Sequence, residues 1–74
     1  MKITYDSEGD VLYIQLRGIT PVDSMDIEDG VTAELDSQGH LVAIEVLDAS
    51  QRLTPEELTS VSYENVLLAA AKAP

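Results

Sequence analysis

The stretch that decides the fold is Tyr5-Asp6-Ser7-Glu8-Gly9-Asp10-Val11-Leu12-Tyr13-Ile14, a polar turn that runs directly into an alternating strand. Successive side chains of a strand point to opposite faces, so Leu12 and Ile14 lie on one face, and Val11 and Tyr13 on the other. The residues before the turn alternate in the same way. The stretch therefore predicts two strands joined by a tight polar turn.

The same combination of turn and strand returns twice along the chain. Asp29-Gly30 is a strong signal for a two-residue hairpin, and residues 36–40 form a longer turn that contains Gly39. Alternating apolar residues flank both turns. The pattern predicts five strands, at residues 2–5, 11–17, 22–28, 31–36 and 41–47.

A helical signal follows the last predicted strand. Thr54-Pro55-Glu56-Glu57 is a capping box with proline at the first helical position. Residues 64–72 predict a second helix or a continuation of the first, so the helical segment spans residues 54–72. The predicted fold is α+β: a single domain over residues 1–74, with a five-stranded, mostly antiparallel β-meander in residues 1–48 and a C-terminal helical segment on one face.

The two faces of the predicted sheet have different expected partners. The second and fifth strands are apolar on both faces, and such strands are normally covered on both. One short helical segment can cover only one face. The inward set is Ile3, Leu12, Ile14, Leu16, Ile27, Val31, Leu35, Val42, Ile44, Val46 and Leu58. The candidate interaction face on the opposite side contains Val11, Tyr13, Ala43, Glu45 and Leu47.

Length and cysteine content indicate how the chain is stabilised. A domain of 74 residues without cysteine is only marginally stable by itself and has no disulfide or thiolate zinc site to help it. One histidine cannot supply a histidine-rich metal cluster. We therefore expect a homo-oligomer with no cofactor and no metal.

Charge narrows the classes of partner. Fourteen Asp/Glu against four scattered Lys/Arg give a formal net charge of -10. Binding to nucleic acid or to an anionic membrane requires clustered basic residues, so neither is expected. The electrostatic complement is a basic protein, although acidity can also simply favour solubility. The first residues show no apolar leader and no run approaches a membrane span, which predicts a cytoplasmic location.

Four acidic residues and one histidine are candidates for chemistry. Asp6, Glu8 and Asp10 have part of the spacing of a calcium loop, but the rest of that motif is absent, so capping of turn amides is the favoured interpretation. Glu45 lies among apolar residues and could act as an acid or base, with His40 the one plausible partner. The competing interpretation of Glu45 is a cross-strand or edge-protecting charge.

The chain resembles a family of short prokaryotic proteins that is known only as a domain of unknown function. The resemblance covers roughly residues 1–52 and rests on these segments: Tyr5-Asp6, Asp10-x-Leu12-Tyr13-Ile14, Gly30-Val31, Asp36-x-x-Gly39-x-Leu41-Val42 and Ile44-Glu45-Val46-Leu47-Asp48-Ala49-Ser50. It implies a compact β-rich domain with a short helical tail and no established activity. Members occur in bacteria, sometimes beside small toxin-like genes, which implies an antitoxin-like role.

The sequence favours a non-catalytic protein-interaction module that binds a basic protein and is not an enzyme. Two alternatives stay open at this point. One is a small-molecule or metal-binding domain, and the other is a minimal enzyme that uses Glu45 and His40. A pocket with convergent polar groups would favour these alternatives, whereas an exposed apolar face would favour the interaction module.

Overall fold

The computed structural model describes residues 1–66, which form five strands and two short helices. In chain order these are β1 (Lys2–Asp6), β2 (Val11–Gln15), β3 (Asp23–Glu28), β4 (Val31–Leu35), β5 (Leu41–Leu47), α1 (Ala49–Arg52) and α2 (Pro55–Thr59). All strands belong to one sheet in the order β1-β2-β5-β4-β3, and every neighbouring pair is antiparallel. The predicted α+β fold with a five-stranded antiparallel sheet is confirmed.

The strand order is more specific than a plain succession of hairpins. The β1–β2 hairpin lies beside a β3–β4–β5 meander, and β2 pairs with β5 rather than with β3. This arrangement places β2 and β5, the two strands that are apolar on both faces, next to each other in the interior of the sheet. The edges are β1 and β3, in which every residue is exposed.

Glycines at positive φ make the two predicted turns of β4. Gly30 has φ 84° in the turn before β4, and Gly39 has φ 85° in the turn after it. Such angles cost an L-residue free energy but are freely open to glycine. At Gly30 the guanidinium of Arg52 also occupies the place where a Cβ atom would stand. The turn and helix α1 are therefore fitted to each other.

The capping box at the start of α2 is present as predicted. The Thr54 hydroxyl accepts from the Glu57 amide at 3.2 Å, and the Glu57 carboxylate accepts from the Thr54 amide at 2.8 Å. Helix α2 ends at Thr59, however, and residues 60–66 are not helical. The part of the predicted helical segment at residues 67–72 lies outside the described residues.

Helix α1 was not anticipated, and it carries a buried residue whereas α2 carries none. Ala49 is fully buried, and its amide donates to the carbonyl oxygen of Asp10 at 3.0 Å. In α2, Leu58 is half-buried and the other four residues are exposed. The helical cover that the C-terminal segment gives to the sheet is therefore partial within the described residues.

The core of residues 1–66 is small. Its buried hydrophobic residues are Ala33, Val42, Ala43 and Ala49. The predicted inward residues on β1, β2, β4 and β5 share one face, as the strand register shows. Most of the predicted inward set is half-buried, but Ile3, Leu16 and Ile27 are exposed. The Cα radius of gyration is 14.9 Å, against about 11 Å for a compact chain of this length. The sheet is thus a single layer with an incompletely covered face.

Candidate interaction surfaces

One face of the sheet, called here the apolar face, is a continuous hydrophobic surface across all five strands. Residues paired directly across strands share a face. One such row contains Ile3, Ile14, Ile44, Ala33 and Met25, and a second contains Tyr5, Leu12, Val46 and Val31. Val42, two residues before Ile44, completes the set. Two carboxylates flank this uncharged set on the edge strand β3, because Asp23 pairs with Leu35 and Glu28 pairs with Val31.

Exposure on the apolar face increases from the centre to the edges. Val42 on β5 is fully buried and Ala33 on β4 is 4% exposed. At the two edges, Ile3 is 37% exposed and Met25 is 58% exposed. Single exposed apolar side chains are common on protein surfaces, but a contiguous set across a sheet indicates a surface that binds something.

The opposite face, called here the acidic face, collects most of the charge of the strands. Its rows are Lys2, Gln15, Ala43, Glu34 and Ser24; Thr4, Tyr13, Glu45, Thr32 and Asp26; and Asp6, Val11 and Leu47. Four carboxylates therefore stand on this face with a single ammonium group. The sequence alternation sorts apolar and acidic side chains to opposite sides of the same strands.

A hydrogen bond between nonadjacent strands organises the centre of the acidic face. The Tyr13 hydroxyl on β2 donates to the Glu34 carboxylate on β4 at 2.5 Å, so the bond crosses the intervening strand β5. Ala43 lies on β5 directly beside Glu34 and is fully buried. The hydrogen bond to the Glu34 carboxylate, with burial and negative charge adding to it, raises the pKa of Tyr13 above its usual value of 10.

The structure brings the five predicted interaction residues together on the acidic face. Val11 pairs with Leu47 and Tyr13 with Glu45 across β2 and β5, and Ala43 follows in the next row. Leu47 is 40% exposed, and Val11, Tyr13 and Glu45 are half-buried. Strand alternation was enough to place them on one face.

Sequence reasoning did not identify the acidic residues on neighbouring strands, nor the exposed edges of the apolar face. Asp6, Asp26 and Glu34 join the acidic face only through the cross-strand register. That register depends on which strands pair, and no local motif specifies that β2 pairs with β5. The alternation of residues along β3 and β4 was the sequence signal that could have predicted a shared face for their acidic residues.

Glu45 and His40 occupy different environments. The Glu45 side chain lies between Tyr13 and Thr32 in the middle of the acidic face. His40 is exposed in the turn before β5, where its backbone amide donates to the Asp36 carboxylate at 2.8 Å. Roughly 17 Å of extended chain separates the two residues. No hydrogen bond within residues 1–66 joins their side chains.

Two of the three candidate calcium-loop carboxylates, those of Asp6 and Asp10, accept hydrogen bonds. The Asp6 carboxylate accepts from the amides of Glu8 at 2.9 Å and Gly9 at 3.3 Å, as expected of a residue that caps a turn. Over residues 1–66, no cluster of three or more potential metal ligands occurs.

Asp10 ties the first hairpin to α1 in an arrangement called here the Asp10 clasp. Its carboxylate accepts from the Tyr5 hydroxyl at 2.7 Å, the Ser50 hydroxyl at 2.7 Å and the Ser50 amide at 2.9 Å. Hydrogen bonds from Ser50 and then Tyr5 lower the pKa of Asp10, and the same contact raises the pKa of Tyr5. The clasp therefore holds α1 against the first hairpin.

The two arginines in the described part of the chain form ion pairs at the ends of the sheet. Arg17 pairs with Asp36 at 2.9 Å, and Arg52 pairs with Glu28 at 2.8 Å. The backbone amide of His40 and the Arg17 guanidinium together lower the pKa of Asp36 to about 2. These cations form no basic patch. Neither helix within residues 1–66 has the length and apolar character needed to cross a bilayer.

A cleft of about 630 Å³ opens beside the edge of the apolar face. Met1, Ile3, Val61, Ser62 and Tyr63 line it, so the segment after α2 passes close to β1. Ligand sites usually combine apolar walls with a few convergent polar groups. The lining here is mainly apolar.

The five strands and the Asp10 clasp lie within a segment that matches a known protein family. Residues 2–50 match a family model described as "Protein of unknown function (DUF2283)". The chain belongs to this family. The matched segment begins at the first residue of β1 and ends at Ser50, the residue that closes the Asp10 clasp. No curated protein and no solved structure matches the chain.

Proposed function

We propose that this protein is a non-catalytic interaction module that binds a basic protein partner through its acidic face. The observation that carries the proposal is the sorting of charge between the two faces of one sheet. Asp6, Asp26, Glu34 and Glu45 stand on the acidic face with Lys2, whereas the carboxylates of the apolar face, Asp23 and Glu28, are confined to the edge strand β3. Such a field attracts a positively charged surface and excludes an acidic one.

The acidic face also offers apolar and aromatic contacts. Tyr13 and Val11 are half-buried and Leu47 is 40% exposed, all on the two central strands. Interfaces combine such apolar centres with a charged rim, and tyrosine is enriched in them. Because the Tyr13 hydroxyl is already bonded to Glu34, the centre of the face is ordered before a partner arrives.

The distribution of cations supports a protein partner over a nucleic acid. Arg17 and Arg52 are engaged in ion pairs at opposite ends of the sheet, and Lys2 lies among the carboxylates of the acidic face. Phosphate backbones require several neighbouring cations. The antitoxin-like role implied by the family resemblance fits a basic toxin-like protein as partner, and the cytoplasm is the proposed setting for that encounter.

A matched pair of charge reversals tests the proposal. Asp26→Lys changes an exposed residue of the acidic face, and Glu64→Lys makes the same change in net charge in the exposed segment after α2. Proteins captured from host lysate by the unmodified protein are identified, and their affinity for each variant is measured. We expect a basic partner whose affinity falls about tenfold or more with Asp26→Lys and is unchanged with Glu64→Lys. An acidic partner, or equal binding by both variants, would contradict the proposal.

A further inference from the structure

We propose that the apolar face is covered by the apolar face of a second copy of this chain, so that two sheets form a sandwich with both acidic faces outward. The starting observation is a five-stranded sheet whose hydrophobic side lacks a complete second layer within residues 1–66. A sheet with one hydrophobic face must bury it against another element. Helix α2 buries no residue and does not supply that layer.

Charge identifies the occupant as a second copy. The row Ile3, Ile14, Ile44 and Met25 has no charged member, so the centre of the apolar face offers a basic partner nothing to pair with. Its carboxylates, Asp23 and Glu28, lie at the rim on β3, where Glu28 is already paired with Arg52. A matching uncharged surface is available on every other molecule of the same protein. Packing face to face at the usual sheet spacing of about 10 Å leaves the acidic-face carboxylates of both copies hydrated on the two outer sides.

The size of the face limits how tightly the copies can associate. Five strands spaced by about 4.8 Å, each with about five residues of 3.4 Å, give a flat area of roughly 400 Å² per copy. Two copies together bury roughly 800 Å² by this measure, which is below the approximately 1,200 Å² at which standard interfaces begin. The dimer must therefore use the whole face, including its edges, and we expect a dissociation constant in the micromolar range.

The edge strand β3 provides a matched test of which face is used. Met25 and Ser24 are adjacent and both exposed, but Met25 lies on the apolar face and Ser24 on the acidic face. Met25→Glu and Ser24→Glu add the same charge to the same strand. A charge buried without a partner in an apolar contact is costly, whereas one on a hydrated surface is not.

Sedimentation equilibrium of the full chain measures the association constant. The protein concentration runs from about 5 to 200 micromolar, the range in which a small interface is expected to form. The unmodified protein and Ser24→Glu should pass from monomer to dimer with similar constants. Met25→Glu should weaken association by about 100-fold or more and remain monomeric throughout.

Three results would overturn the proposal: a monomer at every concentration for the unmodified protein, equal weakening by both variants, or weakening by Ser24→Glu alone. A monomer would indicate that another part of the chain or a different molecule covers the face. If circular dichroism shows that Met25→Glu does not fold, the equivalent pair on β1, Ile3→Glu against Thr4→Glu, decides the question. Ile3 lies on the apolar face and Thr4 on the acidic face, and both are exposed.

Discussion

The two faces of the sheet are built on the same strands and differ in charge, yet each has a buried centre and exposed edges. Ala43 on the acidic face is fully buried beneath the hydrogen bond from Tyr13 to Glu34. Ile3 and Met25 on the apolar face are 37% and 58% exposed. Hydrophobic side chains that stay open at the edges of an apolar face indicate a missing layer. We propose separate roles for the two faces, self-association on one side and partner recognition on the other.

The largest expected effect comes from the centre of the apolar face. Val42→Ala removes two methyl groups from a fully buried site and should lower the free energy of unfolding by about 2 kcal/mol. Val22→Ala makes the same change at a residue that is 67% exposed and should alter it by less than about 0.5 kcal/mol. Urea denaturation of both variants measures the contrast. Equal effects would show that β5 is not the centre of the packed layer.

The next largest effect on stability is expected from loss of the hydrogen bond that organises the acidic face. Tyr13→Phe removes the donor to Glu34 and should cost about 1 kcal/mol. Tyr63→Phe, at a residue that is 77% exposed, is the control and should leave stability unchanged. If thermal melting cannot distinguish Tyr13→Phe from the unmodified protein, the bond across β5 contributes nothing to the order of this face.

The same bond predicts a loss of stability in alkali. The pKa of Tyr13 is raised above 10 in the folded protein because its hydroxyl donates to Glu34. A raised pKa stabilises the fold fully below the unfolded value of 10, and the contribution is lost as pH rises through the folded pKa. The stability difference between Tyr13→Phe and the unmodified protein should therefore be constant from neutral pH to about 9 and shrink above 10. A difference that persists in strong alkali would contradict the assignment.

The smallest expected effect is at Glu45 on the acidic face. Its neighbours across the strands are Tyr13 and Thr32, and no ion pair within residues 1–66 includes it. Glu45→Gln should change the free energy of unfolding by less than about 0.5 kcal/mol while reducing the negative field of the face. A clear destabilisation would reveal a cationic partner of Glu45, since removing one member of a buried pair leaves the other uncompensated.

The features predictable from sequence are those set by neighbouring residues. The turns at Gly30 and Gly39 follow from glycine's access to positive φ, and the capping box of Thr54 and Glu57 follows from side-chain spacing. Alternation placed the candidate residues of β2 and β5 on a common face before the strand pairing was known. Local chemistry is therefore sufficient to predict the strands, their turns and the start of α2, and to predict which side chains of a strand share a face.

The features missed by sequence reasoning depend on contacts between distant residues. The pairing of β2 with β5 is a choice among strands, and it determines that Tyr13 reaches Glu34. Helix α1 lacks a side-chain cap and follows Asp48 at φ 53°, so its stability derives from Asp10, which lies 40 residues earlier than Ser50. The well-capped α2 was expected to cover the sheet, but a cap fixes where a helix starts and not what it packs against.

The most direct test of the two-face account is the accessibility of methyl groups to a soluble paramagnetic probe, followed by NMR as the protein is concentrated. Between about 5 and 200 micromolar, the range expected for a small interface, the methyl groups of Ile14, Ile44 and Met25 should become protected from the probe. The methyl groups of Thr4 and Thr32 on the acidic face should keep the same accessibility throughout. Protection of the threonines, or apolar-face methyl groups that stay accessible at every concentration, would contradict the account.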